Sequence, residues 1–181
     1  QFVQTLYSNV GERPMKEMTK ENLKAALAGE SQAHIKYLAY SAQAAKAGKP
    51  NIARLFHAIA YAEQVHAMNH LKELGGIGDT VANLQAAIDG ENFEVDEMYA
   101  AYLEIAEFQN EKGAKRSMRY AAEAEKIHAD MFGDAKAVAD AGDDMEIGEV
   151  YICPVCGFTH IGEPPDRCPV CKAKKDRFKA F

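Results

Sequence analysis

The chain has 181 residues, and no cysteine stands before Cys153. That excludes a disulfide framework spread through the fold. Four cysteines gathered at one end point instead to metal binding in a reducing compartment, so the expected location is the cytoplasm. Basic residues are also in deficit, 21 Lys and Arg against 27 Asp and Glu. The net charge of -6 leaves no general basic face for nucleic acid or an acidic membrane. No apolar run approaches the ~20 residues needed to cross a bilayer. Gln1 to Pro14 lacks a basic start followed by an apolar stretch, so no signal peptide is expected there. Nor does any segment read as a nicotinamide or flavin site. What remains, at 48% hydrophobic and 27% charged residues, suits one medium globular domain with a small appendage.

Composition divides the chain. From Thr19 to about Ala141 it is rich in Ala, Glu, Lys and Leu at helical spacing. Gly48 and Pro50, Gly75-Gly76 with Gly78, Gly113 and Gly142 punctuate it, which predicts helices over 19–47, 51–74, 80–112 and 114–141. Thr19 and Thr80 are the expected N-caps. The domain division is then 15–142 for the helices, 143–149 for an acidic linker and 150–181 for the cysteine segment, which is too small to fold without a metal.

The helical part contains a repeat. Asn22-Leu-Lys-Ala-Ala-Leu-Ala-Gly-Glu30 returns as Asn83-Leu-Gln-Ala-Ala-Ile-Asp-Gly-Glu91, and Glu63-Gln-Val-His66 returns as Glu125-Lys-Ile-His128. The interval from the first Glu to the Glu-x-x-His is 33 residues in one copy and 34 in the other, so one helical hairpin is written twice.

The repeated acids lie in apolar stripes. The stripes run Leu23, Leu27, Glu30, His34, Tyr37; Ile52, Leu55, Ile59, Glu63, His66; Leu84, Ile88, Glu91, Glu94, Met98, Tyr102; and Met118, Ala121, Glu125, His128, Phe132. At 3.6 residues per turn each is a line expected to face a core, with acid in its middle. Buried carboxylates cost several kcal/mol unless paired or ligated. Two divalent cations would offset that charge, and glutamate with neutral histidine suits iron or manganese. In Glu-x-x-His, residues three apart share a helix face and reach one metal pair. One Glu from each of two helices and this motif from each of two others is the constellation of di-iron carboxylate bundles.

One Glu-x-x-His alone is weak, because Glu-rich helices produce it by chance on their wet side. Two copies in phase with apolar stripes are much stronger. Glu104-Ile-Ala-Glu107 falls on the opposite side of the third helix from Glu91, as a solvated face. His34 and His70 stand one turn beyond the ligand positions and suit supporting or core roles. His57 and His160 read as surface or packing residues. Tyr37 and Tyr99 can donate hydrogen bonds to ligand carboxylates, beside the packing role usual for buried tyrosine.

In the tail, Cys153-Pro-Val-Cys156 and Cys168-Pro-Val-Cys171 are separated by eleven residues. Two such hairpins present four thiolates to one tetrahedral ion. Zinc and iron accept the same set, so the spacing leaves both open; beside a di-iron site, iron adds one-electron transfer.

With these motifs in place the chain resembles the rubrerythrins. Gly-Glu30-Ser-Gln, Glu63-x-x-His66, Gly-Glu91-x-x-Glu94 and Glu125-x-x-His128 resemble a ferritin-like domain. Cys153-Pro-Val-Cys156-Gly157 and Cys168-Pro-Val-Cys171 resemble a rubredoxin-like one. The implied fold is mainly α: a ferritin-like four-helix bundle followed by a small rubredoxin-like metal-bound domain. The resemblance makes Glu63 and Glu125 bridging ligands of two irons, and Glu30 and Glu91 terminal ones. His66 and His128 complete the set, and Tyr37 and Tyr99 are supporting tyrosines. Glu94 has no counterpart in the first copy, where Ala33 stands; by resemblance His66 and Glu94 exchange at one iron on oxidation. A proline common after the second tyrosine is Ala100 here. The implied activity is a peroxidase reducing hydrogen peroxide to water. Electrons pass through the four-cysteine iron from rubredoxin or a similar donor and its separate NAD(P)H-linked reductase.

One feature implies an assembly. A ferritin-like bundle within one chain needs the link between the second and third helices to run its length. That is about 33 Å, for about eleven residues at 1.5 Å rise on each side of the site. Leu74 to Thr80 reaches roughly 20 Å. The expected assembly is therefore a homodimer with swapped helical hairpins; a simple up-down-up-down monomer is the alternative. Two other functions compete: a ferroxidase or iron-handling protein of the ferritin class, and a zinc-ribbon interaction module on a structural bundle. The cysteine tail disfavours the first and the in-core glutamates the second.

Overall fold

The computed structural model describes residues 14–181, so the segment read above for a leader lies, apart from Pro14, outside the described residues. The chain falls into two compact units, Gln1–Ile77 and Gly78–Phe181.

The first unit is a hairpin of α1 (Glu17–Lys46) and α2 (Pro50–Glu73). Gly48 takes the left-handed conformation, φ 69, that reverses the chain before Pro50 opens α2 at its first turn. The helices run antiparallel: His34 Nδ1 donates to the Ala60 carbonyl at 2.8 Å, and about two turns on Ser41 Oγ donates to that of Ala53 at 2.8 Å. Ala53, Ala60 and Ala67 are the buried residues of α2 and recur every seventh position, one line of small side chains along which the helices close. Tyr37, Tyr40 and Phe56 form an aromatic cluster with centroids 5.6–6.2 Å apart.

The second unit begins with α3 (Thr80–Phe93), which runs into a π-turn (Glu94–Met98) and continues as α4 (Tyr99–Phe108); α5 (Lys112–Asp140) packs back along all three. Three short strands follow, β1 (Val150–Ile152), β2 (Thr159–Ile161) and β3 (Lys179–Ala180), in the antiparallel order β2-β1-β3, with Tyr151 opposite both His160 and Ala180. Their core is Cys153, Cys156, Cys168 and Phe158, against which Tyr120 and Ile127 of α5 pack.

Several boundaries differ from expectation. Helix α1 starts at Glu17, not at a Thr19 cap. The cap of α3 is Asp79, whose carboxylate accepts from Ala82 N at 2.8 Å, leaving Thr80 as the first helical residue. Gly113 does not separate the last two helices; Asn110 does, with φ 56, while Gly113 lies in the first turn of α5. Asparagine tolerates the left-handed region through local side-chain bonding.

The π-turn explains an irregularity of the repeat. Seven residues make nearly two α-turns, so Glu30 and Tyr37 share a face. Glu91 and Tyr99 are eight apart and would not, unless one residue were absorbed, which a π-turn does. The same residue makes the second interval 34 and not 33.

The stripes are less buried than expected. Leu23, Leu27, Leu84 and Ile88 are half-buried, but Ile52, Leu55, Ile59 and Tyr102 are exposed, Leu55 by 59%. In the first unit, the alanine line of α2 meets α1, which leaves the flank of α2 that carries its large aliphatic residues uncovered.

Removing the α3 cap tests the revised boundary. Asp79→Ala should lower stability by about 1 kcal/mol in chemical denaturation, whereas Thr80→Ala should change it by only a few tenths of that.

Candidate metal centres

The hairpin registers bring the repeated ligands together. In the first unit Glu30, Glu63 and His66 each offer an atom, all within 4.8 Å of one another; in the second, Glu91, Glu125 and His128 do the same. In both, histidine Nδ1 turns to the glutamate three residues before it: His66 to Glu63 at 3.0 Å and His128 to Glu125 at 2.6 Å. The side chains of Glu63, Glu125 and His128 are mostly covered, while that of His66 is 54% exposed.

Glu94, the first residue of the π-turn, stands outside the second triad but within reach of its field. Burial raises the Glu94 carboxyl above the usual range, and the Glu125 charge adds to this. Burial also raises Glu91, together with the Glu125 charge and a hydrogen bond shared with it. Tyr99 is pushed upward by burial and by the Glu94, Glu125 and Glu91 charges, so the π-turn has brought it onto the acidic face. Tyr37 sits in its aromatic cluster. Carboxyls raised by burial and by one another's charge, with imidazole nitrogens turned among them, are a set into which a divalent cation fits.

The four cysteine sulfurs also lie within 4.8 Å of one another. Sγ of Cys153 is 3.5 Å from that of Cys171, and Sγ of Cys156 is 3.5 Å from that of Cys168, too far for S–S bonds. Tetrahedral thiolates at about 2.3 Å from an ion stand about 3.8 Å apart, so the spacing fits a single ion. Each hairpin closes on a left-handed residue after its second cysteine, Gly157 with φ 81 and Lys172 with φ 65, whose amides donate to the carbonyls of Cys153 and Cys168 at 2.9 Å. Burial pushes the thiols of Cys156 and Cys171 up. Cys168 is also buried, but amide donors from Cys171 and Val170 and a neighbouring thiol outweigh that and lower it.

A contact absent from the sequence reading joins the four-cysteine segment to the second triad. His128 Nε2 is 2.8 Å from Thr159 Oγ1 on β2, and Thr159 Oγ1 donates to the Gly157 carbonyl at 3.1 Å. No local pattern marks Thr159; the pairing spans 31 residues. The remaining expectations divide simply. Glu104 and Glu107 are exposed, Glu107 pairing with Lys115, and His57 is exposed. His34 ties α1 to α2, and His160 stacks on Phe158 at 6.2 Å. No described helix is long and apolar enough to cross a membrane.

Comparison with known proteins accounts for both ligand sets. The Rubrerythrin family model matches residues 21–136, and the model of the rubrerythrin rubredoxin-like domain matches 151–179. The chain belongs to the rubrerythrin family. Its helices are the ferritin-like part, and its tail is the rubredoxin-like domain. Rubrerythrin-2 of Clostridium acetobutylicum is 48% identical, the match covering 91% of this chain and 97% of that one. Nigerythrin of Nitratidesulfovibrio vulgaris is 38% identical over 90% of this chain and 86% of its own. Among solved structures, the fully reduced, all-ferrous state of nigerythrin aligns with a TM-score of 0.54 at 32% identity, covering 98% of this chain and 94% of that one. The family thus carries candidate di-iron ligands in Glu30, Glu63, His66, Glu91, Glu125 and His128, and a rubredoxin-like site in Cys153, Cys156, Cys168 and Cys171.

The raised carboxyls predict how the metal-free protein responds to pH. A carboxyl raised on folding contributes stability that is complete below its unfolded value near 4.5 and is lost as pH rises through its higher folded value. Metal-free protein should therefore lose stability as pH rises through that window. Glu91→Gln combined with Glu94→Gln should flatten the loss in thermal melts across pH. Added divalent cation should raise the melting temperature more at neutral pH than near the unfolded value.

Proposed function

We propose that the protein is a di-iron peroxidase that reduces hydrogen peroxide to water with electrons relayed through its four-cysteine iron. The observation that carries this reading is the pair of Glu–Glu–His triads, one of which adjoins the four-cysteine segment through Thr159. A storage or ferroxidase role gives no use to a thiolate electron carrier held against a ligand histidine. The iron pair, when bound, supplies two electrons to the O–O bond while two protons are taken up, giving two waters.

The chain's own residues hold and tune that pair. Glu63 and Glu125 are assigned as bridging ligands, Glu30 and Glu91 as terminal ones, and His66 and His128 as the nitrogen ligands. By the family resemblance Glu94 and His66 would be alternative ligands of one iron, since an anionic oxygen suits the more highly charged ferric ion and neutral imidazole the ferrous one. Burial and the Glu125 charge raise the Glu94 carboxyl, and a bound cation would favour its ionised form. Tyr37 and Tyr99 orient ligand carboxylates. The domains run 15–142 and 150–181 with 143–149 between. Single electrons arrive from rubredoxin or a similar cytoplasmic donor served by an NAD(P)H-linked reductase.

The assembly that completes the site is a homodimer in which α1 and α2 of one chain face α3, α4 and α5 of the other. Two observations support it: the short link between α2 and α3, and the exposed Ile52, Leu55 and Ile59 beside Glu63 and His66 on α2. A second chain covers those aliphatic side chains and brings the two triads into one metal site.

Anaerobic iron loading followed by stoichiometric peroxide tests the function. The reduced protein should oxidise with one peroxide per iron pair and then draw electrons from its four-cysteine iron, read by its visible colour. An iron-loaded protein that oxygen oxidises but peroxide does not would instead be a ferroxidase. Glu94→Ala should retain iron yet lose roughly tenfold or more in turnover. Sedimentation should give twice the 19.9 kDa chain mass. Mixing Glu30→Ala chains with Glu91→Ala chains should restore intact sites only if the hairpins are swapped.

A further inference from the structure

The two histidines of the repeat are held differently. Within its unit, the side-chain hydrogen bond of His66 is the one to Glu63, and the ring is half in solvent. His128 is bound at both nitrogens: Nδ1 faces Glu125 at 2.6 Å, and Nε2 meets Thr159 Oγ1 at 2.8 Å. We propose that Thr159 is a positioning residue whose hydroxyl accepts the Nε2 proton of His128, fixes Nδ1 as the metal-facing nitrogen and couples that ligand to the four-cysteine turn. This rests on the di-iron reading above.

Donor and acceptor counting supports the assignment. A metal at Nδ1 requires that nitrogen to be deprotonated, so the single imidazole proton sits on Nε2 and needs an acceptor. Thr159 Oγ1 can accept it while donating its own proton to the Gly157 carbonyl at 3.1 Å. Gly157 N in turn donates to the Cys153 carbonyl at 2.9 Å. Every donor in the row is satisfied, and it runs from a ligand of one metal centre to the backbone between two ligands of the other. Close packing accompanies it. A Cβ at Gly157 would stand 3.7 Å from Ala124 Cβ, the buried alanine immediately before Glu125. Thr159 is itself buried, at 6% exposure, so its hydroxyl has little water to compete for it.

The test compares Thr159→Val, which keeps the shape but removes the hydroxyl, with Thr159→Ser, which restores it. In zinc-loaded full-length protein, nitrogen-15 spectra should show His128 protonated at Nε2 with a slowly exchanging proton. That protection should persist in Thr159→Ser and vanish in Thr159→Val. In iron-loaded protein, peroxide first oxidises the reduced pair. The following step, in which the four-cysteine iron goes from ferrous to ferric as one ferric ion of the pair becomes ferrous, should slow about tenfold in Thr159→Val and recover in Thr159→Ser. The visible spectrum of the four-cysteine iron reports folding; if valine disturbs it, Thr159→Ala takes its place. A Thr159→Val protein that keeps the protected proton and the rate, or a Thr159→Ser protein as impaired as valine, would overturn the proposal. Failure of peroxide to oxidise the wild-type pair would instead remove the peroxidase reading, and the zinc spectra would still decide the role of Thr159.

Discussion

Carboxylates held side by side on half-buried helix faces repel, and the rest of this molecule is arranged around that repulsion. Like charges within 4.8 Å, the spacing found in each triad, oppose one another by about 3–4 kcal/mol at an effective dielectric near 20, before solvent screening. In the metal-free chain burial and the Glu125 charge raise the carboxyls of Glu91 and Glu94 above the usual range. The chain also sets an imidazole nitrogen against one glutamate of each triad, Glu63 and Glu125. A cation at the centre would offset that charge and let the helices tolerate acids where an ordinary bundle places leucine. The buried residues between helices are correspondingly small: alanine lines let the backbones close, so that short glutamate side chains meet.

The same constraint operates in the tail with sulfur in place of oxygen. Four thiols in a small cluster cannot all ionise without a cation, and burial holds Cys156 and Cys171 protonated. With three short strands and little apolar surface of its own, this segment takes its order from the metal and from Tyr120 and Ile127 of α5. The apolar packing that stabilises the tail is therefore also what delivers Thr159 to His128.

Much of this was legible in the sequence, because metal ligation imposes spacings that ordinary packing does not. Glu30, Glu63, His66, Glu91, Glu125 and His128 could be picked out by repetition alone, and the four cysteines by their hairpins. Other features depended on competition between near-equal local choices. Asp79 and Thr80 are both good caps, and the tertiary course of the link selected the former. Asn110 took the left-handed position that Gly113 seemed to offer. The π-turn was present only as a discrepancy of one residue between two copies, with no propensity to announce it. Thr159 left no mark at all, since a contact across 31 residues depends on how the strands settle on α5. The exposure of Ile52 and Leu55 was hidden for a related reason: periodicity shows that a face is apolar but not which surface covers it.

The extra residue at Glu94–Met98 has a consequence for the history of the two halves. A duplicated hairpin begins with interchangeable copies, so either could pair with itself and build a site of two identical faces. The second copy carries one residue more, taken up as a π-turn that sets Tyr99 toward the acidic face, and separately has Glu94 where the first copy has Ala33, a carboxylate without a twin. The copies then ceased to be substitutes for each other. One added residue and one changed side chain are thus enough to make the two faces of a duplicated hairpin unequal.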